Sequence, residues 1–228
     1  MSDVRLIEIK EEILGDNDKL AAEIRDELKA KGTFMMNLMA SPGAGKTSLV
    51  IQTLRALGKD FKGGVIEGDI DSMVDAEKVA LEGVPAVQIR TGGACHLDAL
   101  MIRRALAAMD IAALDYIIIE NVGNLVCPAE FETGSAKKIM ILSVPEGDDK
   151  PLKYPLMFSI CDALVINKTD YLQMSDFDMK AVKDRVRKLN PDIRFFEVSC
   201  KTGEGLSAWT LWIKEQIESF RAEKKLTK

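Results

Sequence analysis

The stretch Ala40-Ser41-Pro42-Gly43-Ala44-Gly45-Lys46-Thr47-Ser48 decides the fold of this chain. It follows the apolar run 34–39 and precedes a helical pattern over 48–57, which is the order of a strand, a phosphate-binding loop and a helix. Gly43 and Gly45 allow successive N–H groups to turn toward phosphate oxygens, and the helix adds its positive N-terminal end. Ala40 stands where the usual motif begins with glycine. An ordinary glycine-containing turn is the alternative.

The side chains of this loop have predictable roles. Lys46 is expected to neutralise charge between the β- and γ-phosphates of a nucleotide, and Thr47 is expected to offer its hydroxyl to magnesium. The other expected nucleotide contacts in the loop are Gly43, Ala44, Gly45 and Ser48.

A second set of residues indicates which nucleotide binds. The apolar run 163–166 leads into Asn167-Lys168-Thr169-Asp170, the asparagine–lysine–x–aspartate signature of GTPases. The Asp170 carboxylate can accept from N1–H and the 2-amino group of guanine. Adenine offers neither donor, and an unpaired buried group costs about 1–3 kcal/mol. Lys168 is expected to lie along the base, and Ser199-Cys200-Lys201, after the predicted strand 193–198, resembles the loop that closes over guanine.

Two further segments predict the magnesium side of the site. The β-branched run 116–119 ends at Glu120, the expected magnesium-linked and catalytic acid, and Gly123 would offer its N–H to the γ-phosphate. The segment 65–69 leaves a predicted strand at Asp69 and leads to Asp75, so both acids are candidates for magnesium, and Asp75 also for catalysis. In the alternative interpretation, Asp71 or Ser72 caps the next helix and Asp75 is solvated on its first turn.

The order of elements predicts an α/β protein of the P-loop NTPase type, with a mostly parallel sheet and helices on both faces. A helical segment at 1–32 is expected to precede the core and pack on it, and 33–228 to form the nucleotide-binding domain. The predicted strands are 33–39, 64–67, 86–89, 116–120, 138–144, 163–167 and 193–198. The predicted helices are 18–31, 48–57, 75–82, 97–109, 176–189 and 206–220, and 144–155 is expected to be one long loop.

Composition narrows the class of protein. The chain has 228 residues, 47% of them hydrophobic, and a net charge of −5 without a long basic run. Binding to nucleic acid or to a membrane surface is therefore not expected. Residues 1–14 lack a signal-peptide core, and no run reaches the roughly 18 apolar residues of a membrane span. Four cysteines without disulfide-like spacing indicate a reducing compartment, which predicts a cytoplasmic protein.

Sulfur and imidazole form a third group of candidates. Cys95 and the only histidine, His96, follow Gly92-Gly93 at a strand-to-helix connection, and Cys127 comes four residues after Gly123. Two thiolates and an imidazole suit zinc or nickel, with a fourth position left open, filled by water or supplied by a second subunit. From the residues alone, a helix-cap histidine beside two small buried cysteines is an equal alternative. Cys161 and Cys200 are interpreted as structural.

Several strings together resemble one family, HypB, the hydrogenase nickel-incorporation GTPases of the SIMIBI class. The resemblance covers roughly 33–220, and its most specific strings are Cys95-His96-Leu97-Asp98 and Glu120-Asn121-Val122-Gly123-Asn124-Leu125-Val126-Cys127-Pro128. It implies a metallochaperone that hydrolyses GTP slowly, dimerises when loaded with GTP, and works with a maturation partner to deliver nickel to the large subunit of nickel–iron hydrogenase. It also implies that Cys95, His96 and Cys127 bind metal. Asn124, rather than glutamine, follows Gly123, which fits slow hydrolysis.

Two other functions are compatible with parts of the sequence. A sister maturation GTPase, for urease or for a cobalamin-dependent mutase, would share the phosphate loop and the guanine signature. The cysteine–histidine pair with Cys127 argues against the mutase type. The longer Cys-His-Leu-Asp string argues against the urease type. A zinc-stabilised switch that binds GTP and signals by dimerising is the non-catalytic alternative. Preference for nickel or zinc, and turnover, would separate them.

Overall fold

The structure is a computed structural model that describes residues 9–71 and 74–226. Ser72, the alternative helix cap named above, lies outside the described residues.

Seven strands are present, and each falls within a few residues of its predicted position. They are β1 (Phe34–Ala40), β2 (Gly63–Asp69), β3 (Ala86–Arg90), β4 (Tyr116–Glu120), β5 (Lys137–Ser143), β6 (Ala163–Asn167) and β7 (Arg194–Glu197). They form one sheet in the spatial order β3-β2-β4-β1-β5-β6-β7, with every neighbouring pair parallel. The predicted α/β fold is therefore confirmed.

Helices connect the strands and cover both faces. They are α1 (Ile9–Lys31), α2 (Lys46–Leu57), α3 (Val74–Ala80), α4 (Ala99–Ala107), α5 (Cys127–Glu130), α6 (Lys150–Lys153), α7 (Pro155–Ser159), α8 (Met179–Leu189) and α9 (Leu206–Leu226). None of the helices within residues 9–71 and 74–226 is both long and apolar enough to cross a bilayer.

The core has two sides because the strands are apolar on both faces. On one face, Phe34 and Met36 of β1 pack with α2 and with Trp209 of α9. On the other face, Met35 packs with α1 and α4, and Met39 packs with α7 and α8. Parallel strands covered on both faces place all their carboxyl ends at one edge of the sheet. The loops after β1, β2, β4 and β6 therefore meet there.

Helix α1 is built into the second side of this core. Ala21, Ile24 and Leu28 follow a helical repeat and are at most 1% exposed, packed in the same cluster as Ile102 of α4 and Ile117 of β4. Burying a side chain such as Ile24 contributes about 1.5–3 kcal/mol. Packing of this kind ties α1 directly to the sheet.

The prediction of one long loop over 144–155 was wrong. The segment contains a 3₁₀ turn at Val144–Glu146, then α6 and the start of α7. The carboxylate of Glu146 accepts from the backbone N–H and the hydroxyl of Ser143, which caps that turn. Pro151 and Pro155 occupy the first turns of α6 and α7, where proline is tolerated because the N–H there has no partner in the helix. These prolines start helices instead of breaking them.

Candidate functional site

The phosphate-loop candidate lies between the central strand β1 and α2, at the point where the strand order reverses. Gly43 and Gly45 have φ angles of 75° and 98°, which favour glycine. A side chain at Gly45 would also come within 2.4 Å of the Asn167 side-chain nitrogen. Lys46 begins α2, and its Nζ donates to the Ser41 carbonyl at 3.5 Å. The loop is thus folded into a cradle with a cation at its base.

The magnesium candidates line a cavity beside this cradle. Thr47 Oγ1 donates to Glu120 Oε1 at 2.9 Å, so the hydroxyl and the acid meet at the carboxyl ends of neighbouring strands. The cavity has a volume of about 260 Å³, and its lining includes Pro42, Gly43, Lys46, Glu67, Asp69, Asp75, Glu120 and Gly123. A cavity with one cation and four carboxyl groups is suited to a magnesium-bound phosphate chain.

Glu67 is a member of this group that the sequence analysis did not assign. It lies directly opposite Glu120 in the register of β2 and β4, and the two side chains are 3% and 4% exposed. Glu67 Oε1 and Glu120 Oε2 have no hydrogen-bond partner among the described residues. Two orphaned carboxyl oxygens on neighbouring strands fit the ligand chemistry of a divalent cation. An acid inside an otherwise apolar strand was the signal that could have found Glu67.

The charges of this pair are set mainly by burial. Burial raises the pKa of Glu67, and Glu120 raises it further; burial also raises the pKa of Glu120, which Lys46 and Thr47 lower in part. Burial therefore favours the protonated form of these two carboxyls. Divalent metal would favour the ionised form of both carboxyls.

The two remaining acids are placed at the rim. Asp69 ends β2, and its Oδ1 accepts from the backbone N–H of Asp71 at 2.9 Å. Asp75 forms an ion pair with Lys78 at 2.8 Å within α3 and also lines the cavity. The structure therefore brings both acids to the site, although Asp75 has the local partner that the solvated alternative requires.

Gly123 closes the cavity on its other side. A side chain at this position would come within 3.0 Å of the Pro42 ring and backbone nitrogen. The loop after β4 therefore lies against the phosphate loop, where its N–H groups can meet a terminal phosphate.

The guanine candidates converge from two loops after β6 and β7. Ser199 Oγ donates to Asp170 Oδ1 at 2.6 Å, and Lys201 Nζ is 3.9 Å from Asp170 Oδ2. Lys168 adopts a left-handed φ of 60°, and its Nζ donates to the Gly43 carbonyl at 2.8 Å, so its stem crosses from the guanine loop to the phosphate loop. The carboxylate and its cationic neighbours thus lie together at this end of the site.

Asn167 ties these loops together. Its Nδ2 donates to the Ala44 carbonyl at 3.0 Å, and its Oδ1 accepts from the Cys200 N–H at 3.3 Å. Burial raises the pKa of the Cys200 thiol to about 11, so it remains neutral, in keeping with a structural cysteine. Asn167 therefore fixes the distance between the phosphate and guanine subsites.

Cys95, His96 and Cys127 are brought together by the loops after β3 and β4. One ligand atom from each lies within 4.8 Å of the others. The Sγ atoms of the two free cysteines are 2.8 Å apart, and Cys95 Sγ is 4.0 Å from His96 Nδ1. Phe131 stacks on the imidazole with ring centroids 3.8 Å apart and an angle of 21° between the planes. Two thiols and an imidazole at this spacing could hold a thiophilic divalent metal.

The protonation states of this trio follow from their surroundings. Burial lowers the pKa of His96, which favours the neutral imidazole that binds metal. The neighbouring Cys95 thiol, through the hydrogen bond that the two share, and then burial raise the pKa of the Cys127 thiol. Metal binding would therefore displace protons from the thiols.

Asn121 and Asn124 join the nucleotide and sulfur sites. The buried Asn121 accepts at Oδ1 from the Val122 N–H at 2.9 Å and the Leu97 N–H at 3.1 Å. Asn124 Nδ2 donates to the Cys95 carbonyl at 3.2 Å. Leu97 follows the Cys95-His96 pair, so both amides bind the loop after β3 to the loop that carries Gly123. The sequence analysis linked these sites only through the short interval from Gly123 to Cys127.

Curated proteins resemble this chain over most of its length. The family described as CobW/HypB/UreG, nucleotide-binding domain, matches residues 34–197. Hydrogenase maturation factor HypB of Azotobacter vinelandii is 50% identical over 216 residues, which cover 95% of this chain and 71% of that protein. Hydrogenase/urease maturation factor HypB of Helicobacter pylori (strain J99) is 44% identical over 223 residues, which cover 96% of this chain and 88% of that protein.

A solved structure supports the same relationship. HypB from Helicobacter pylori, crystallised in complex with nickel, superposes with a TM-score of 0.85 at 41% identity, covering 90% of this chain and 96% of that one. Fold, motifs and overall similarity agree, and the chain belongs to the HypB family of the CobW/HypB/UreG nucleotide-binding proteins.

Proposed function

We propose that this protein is a slow, magnesium-dependent GTPase that binds nickel and releases it during the maturation of nickel–iron hydrogenase. The observation that carries the proposal is the position of the thiol and imidazole trio on loops bonded to the Gly123 loop, which lies against the phosphate loop. Two relatives, a hydrogenase maturation factor and a HypB crystallised in complex with nickel, support nickel as the cargo.

The nucleotide site supports phosphoryl chemistry by charge and position. Lys46 would neutralise the β- and γ-phosphates, and Thr47 and Glu120 would hold magnesium, with Asp69 and Asp75 at the rim. Magnesium would supply charge neutralisation on the phosphates. Gly123 would donate its N–H to the γ-phosphate.

Slow hydrolysis follows from the position of Asn124. Its Nδ2 donates to the Cys95 carbonyl, so this amide is engaged with the metal-site loop and is not directed at an attacking water. A GTPase without a positioned glutamine relies on the phosphate loop and magnesium alone, which predicts slow turnover by the isolated protein.

The three ligands suit a metal ion that is passed on to another protein rather than one that is held permanently. It supplies three protein ligands where a closed structural zinc site has four. The fourth position would be available to a second copy of the chain or to a receiving partner. A GTP-dependent homodimer, with the trio of each copy near the other, is therefore part of the proposal. A location in the cytoplasm follows from the reduced cysteines that this site requires.

Metal content and dimer mass test the proposal together. Protein purified without metal is incubated with nickel or zinc, together with GDP or a non-hydrolysable GTP analogue. Its bound metal is then measured, and its mass in solution is determined by light scattering. Nickel bound through Cys95, His96 and Cys127 and a GTP-dependent dimer are expected, and a parallel assay with GTP should show slow release of phosphate. The matched variant Lys46→Ala should lose turnover and the GTP-dependent dimer but keep the fold. Zinc preference, with no effect of nucleotide on either metal, would favour the zinc-stabilised switch instead.

Urease is a second candidate recipient of the nickel. The Helicobacter pylori relative, 44% identical, is named as a hydrogenase and urease maturation factor. Transfer assays with metal-free hydrogenase large subunit and metal-free urease, run in parallel, would decide between the two recipients.

A further inference from the structure

Asn17 of α1 makes two hydrogen bonds to segments that carry the sulfur and imidazole site. Its Oδ1 accepts from the Ala99 N–H at 2.8 Å, and its Nδ2 donates to the Glu132 carbonyl at 3.0 Å. The two partners lie 82 and 115 residues away in sequence. A single half-buried amide therefore connects the start of α4 with the segment that follows α5.

Both connections lead to the same imidazole. Ala99 is the first residue of α4 and lies three residues after His96, with the helix capped by Asp98. Glu132 follows Phe131, whose ring stacks on His96 at 3.8 Å. A closed ring of contacts thus surrounds one face of the site and runs through Asn17, Ala99, His96, Phe131 and Glu132. Movement of Asn17 would loosen both of the segments that hold His96 in place.

The helix that carries Asn17 is itself firmly seated. Arg25 Nη2 bonds to Glu132 Oε2 at 3.2 Å, and Arg103 of α4 bonds to Glu27 of α1 at 2.7 Å. Gly134 approaches α1 so closely that a side chain there would lie 2.7 Å from Ile24. Helix α1 therefore contacts both segments over three turns, and the position of Asn17 along the helix axis is fixed.

We propose that Asn17 is a positioning residue for the metal site: it holds the His96 and Phe131 segments in register, and so sets metal affinity from outside the ligand set. The inference rests on the proposed function of the trio as a metal site. Hydrogen bonds beyond the ligands commonly change metal affinity about 10–100-fold when they are removed. Residues 9–31, which form α1, also lie outside the matched segment 34–197, so the family match alone gives this helix no role.

The ring protons of His96 report the proposed geometry without any metal. The chain has one histidine, so untagged protein gives a single set of imidazole proton signals. Stacking on Phe131 should shift them upfield, and Phe131→Leu gives the unstacked reference. At one fixed, mildly alkaline pH, we expect the signals of Asn17→Ala to move toward that reference. Asn17→Asp keeps the acceptor for Ala99 but loses the donor to Glu132, so its signals should move in the same direction.

Metal and nucleotide titrations complete the test. Nickel affinity of Asn17→Ala should fall by about tenfold or more, with affinity for a GTP analogue unchanged. Lys19→Ala, which removes an exposed charge two residues along the same helix, is the matched control and should behave as wild type. Wild-type His96 signals and nickel affinity in folded Asn17→Ala and Asn17→Asp would overturn the proposal. Shifted His96 signals in protein that binds no nickel even as wild type would support the positioning role and refute the cargo assigned to the trio.

Discussion

At the scale of single residues, the guanine carboxylate is oriented by a neighbouring loop. Ser199, in the loop after β7, donates to one oxygen of Asp170. Asp170→Asn should therefore weaken GTP by at least about a hundredfold, because the new amide presents a donor to the guanine N1–H. The same amide can donate to the C2 carbonyl of xanthine, so affinity for xanthosine triphosphate should rise.

Titration of both nucleotides by calorimetry measures this change. Asp176→Asn, an exposed acid a short distance along the chain, is the control and should leave both affinities at the wild-type values. Unchanged GTP affinity in Asp170→Asn would remove the assignment of the guanine site.

Glu67 gives a prediction on pH dependence. Its pKa is raised in the folded protein, above the ordinary 4.5, chiefly by burial. The folded state then binds a proton that the unfolded state has lost, so this group's contribution to the free energy of unfolding is complete below about pH 4.5 and is lost as pH rises toward the folded pKa. One proton can give a slope of at most about 1.4 kcal/mol per pH unit. Glu67→Gln should flatten this slope and stabilise the protein above neutral pH.

Urea unfolding at several pH values, without nucleotide or magnesium, checks the prediction. Glu215→Gln, which removes an exposed acid on α9, should keep the wild-type slope. Identical pH profiles for Glu67→Gln and wild type would contradict the buried, protonated state of Glu67.

At the scale of elements, the connection after β4 is where the two sites meet. Asn124→Asp keeps an oxygen for the Val126 N–H, which preserves the local turn, but it removes the donor to the Cys95 carbonyl and places a negative charge against it. We expect the difference in nickel affinity between GDP-bound and GTP-analogue-bound protein to shrink several-fold, with GTP affinity near normal. Competition with a chromophoric chelator in both nucleotide states measures that difference.

Asn190→Asp is a suitable control, because Asn190 makes its hydrogen bonds at the other edge of the sheet, to the Cys161 and Ser159 carbonyls. A full nucleotide effect in Asn124→Asp would mean that the amide does not carry the signal. The covalent connection from Gly123 to Cys127 would then be sufficient to couple the nucleotide and metal sites.

Elements were predictable where one local pattern dominated. All seven strands were predicted, and β1, β4, β5 and β6 were the clearest, since strands buried on both faces read as continuous apolar segments. The helices α5, α6 and α7 were missed because four or five residues are too few for a helical period. The prolines of these helices were interpreted as loop residues, although they lie in the first turns of the helices.

The site was predictable to the extent that its residues are contiguous. The phosphate loop and Asn167–Asp170 are local motifs, whereas the metal trio depended on the family resemblance to choose between two interpretations. Glu67, Phe131 and Asn17 were not assigned, because their roles come from pairing of strands and from contacts between segments far apart in the chain. Such contacts produce no regular spacing of residues in the sequence from which they could be predicted.

At the scale of the whole molecule, nucleotide and metal candidates occupy one edge of one sheet. Gly123 lies against the phosphate loop, and the loop it belongs to carries Cys127 and is bonded through Asn121 and Asn124 to the loop of Cys95 and His96. A γ-phosphate that draws Gly123 inward would therefore displace all three ligands together. Linkage requires that metal change GTP affinity by the factor with which GTP changes metal affinity, typically about 5–150-fold.

The most direct test is nickel and zinc affinity in GDP-bound and GTP-analogue-bound protein, for wild type and Cys127→Ala. We predict that the two nucleotide states of the wild type differ at least fivefold in nickel affinity, that metal and GTP each promote the dimer, and that Cys127→Ala abolishes the difference while GTP binding stays near normal. Cys161→Ala, a buried cysteine outside the trio, should retain it. Equal metal affinities in both nucleotide states of the wild type would contradict the coupling and leave the trio as a structural feature.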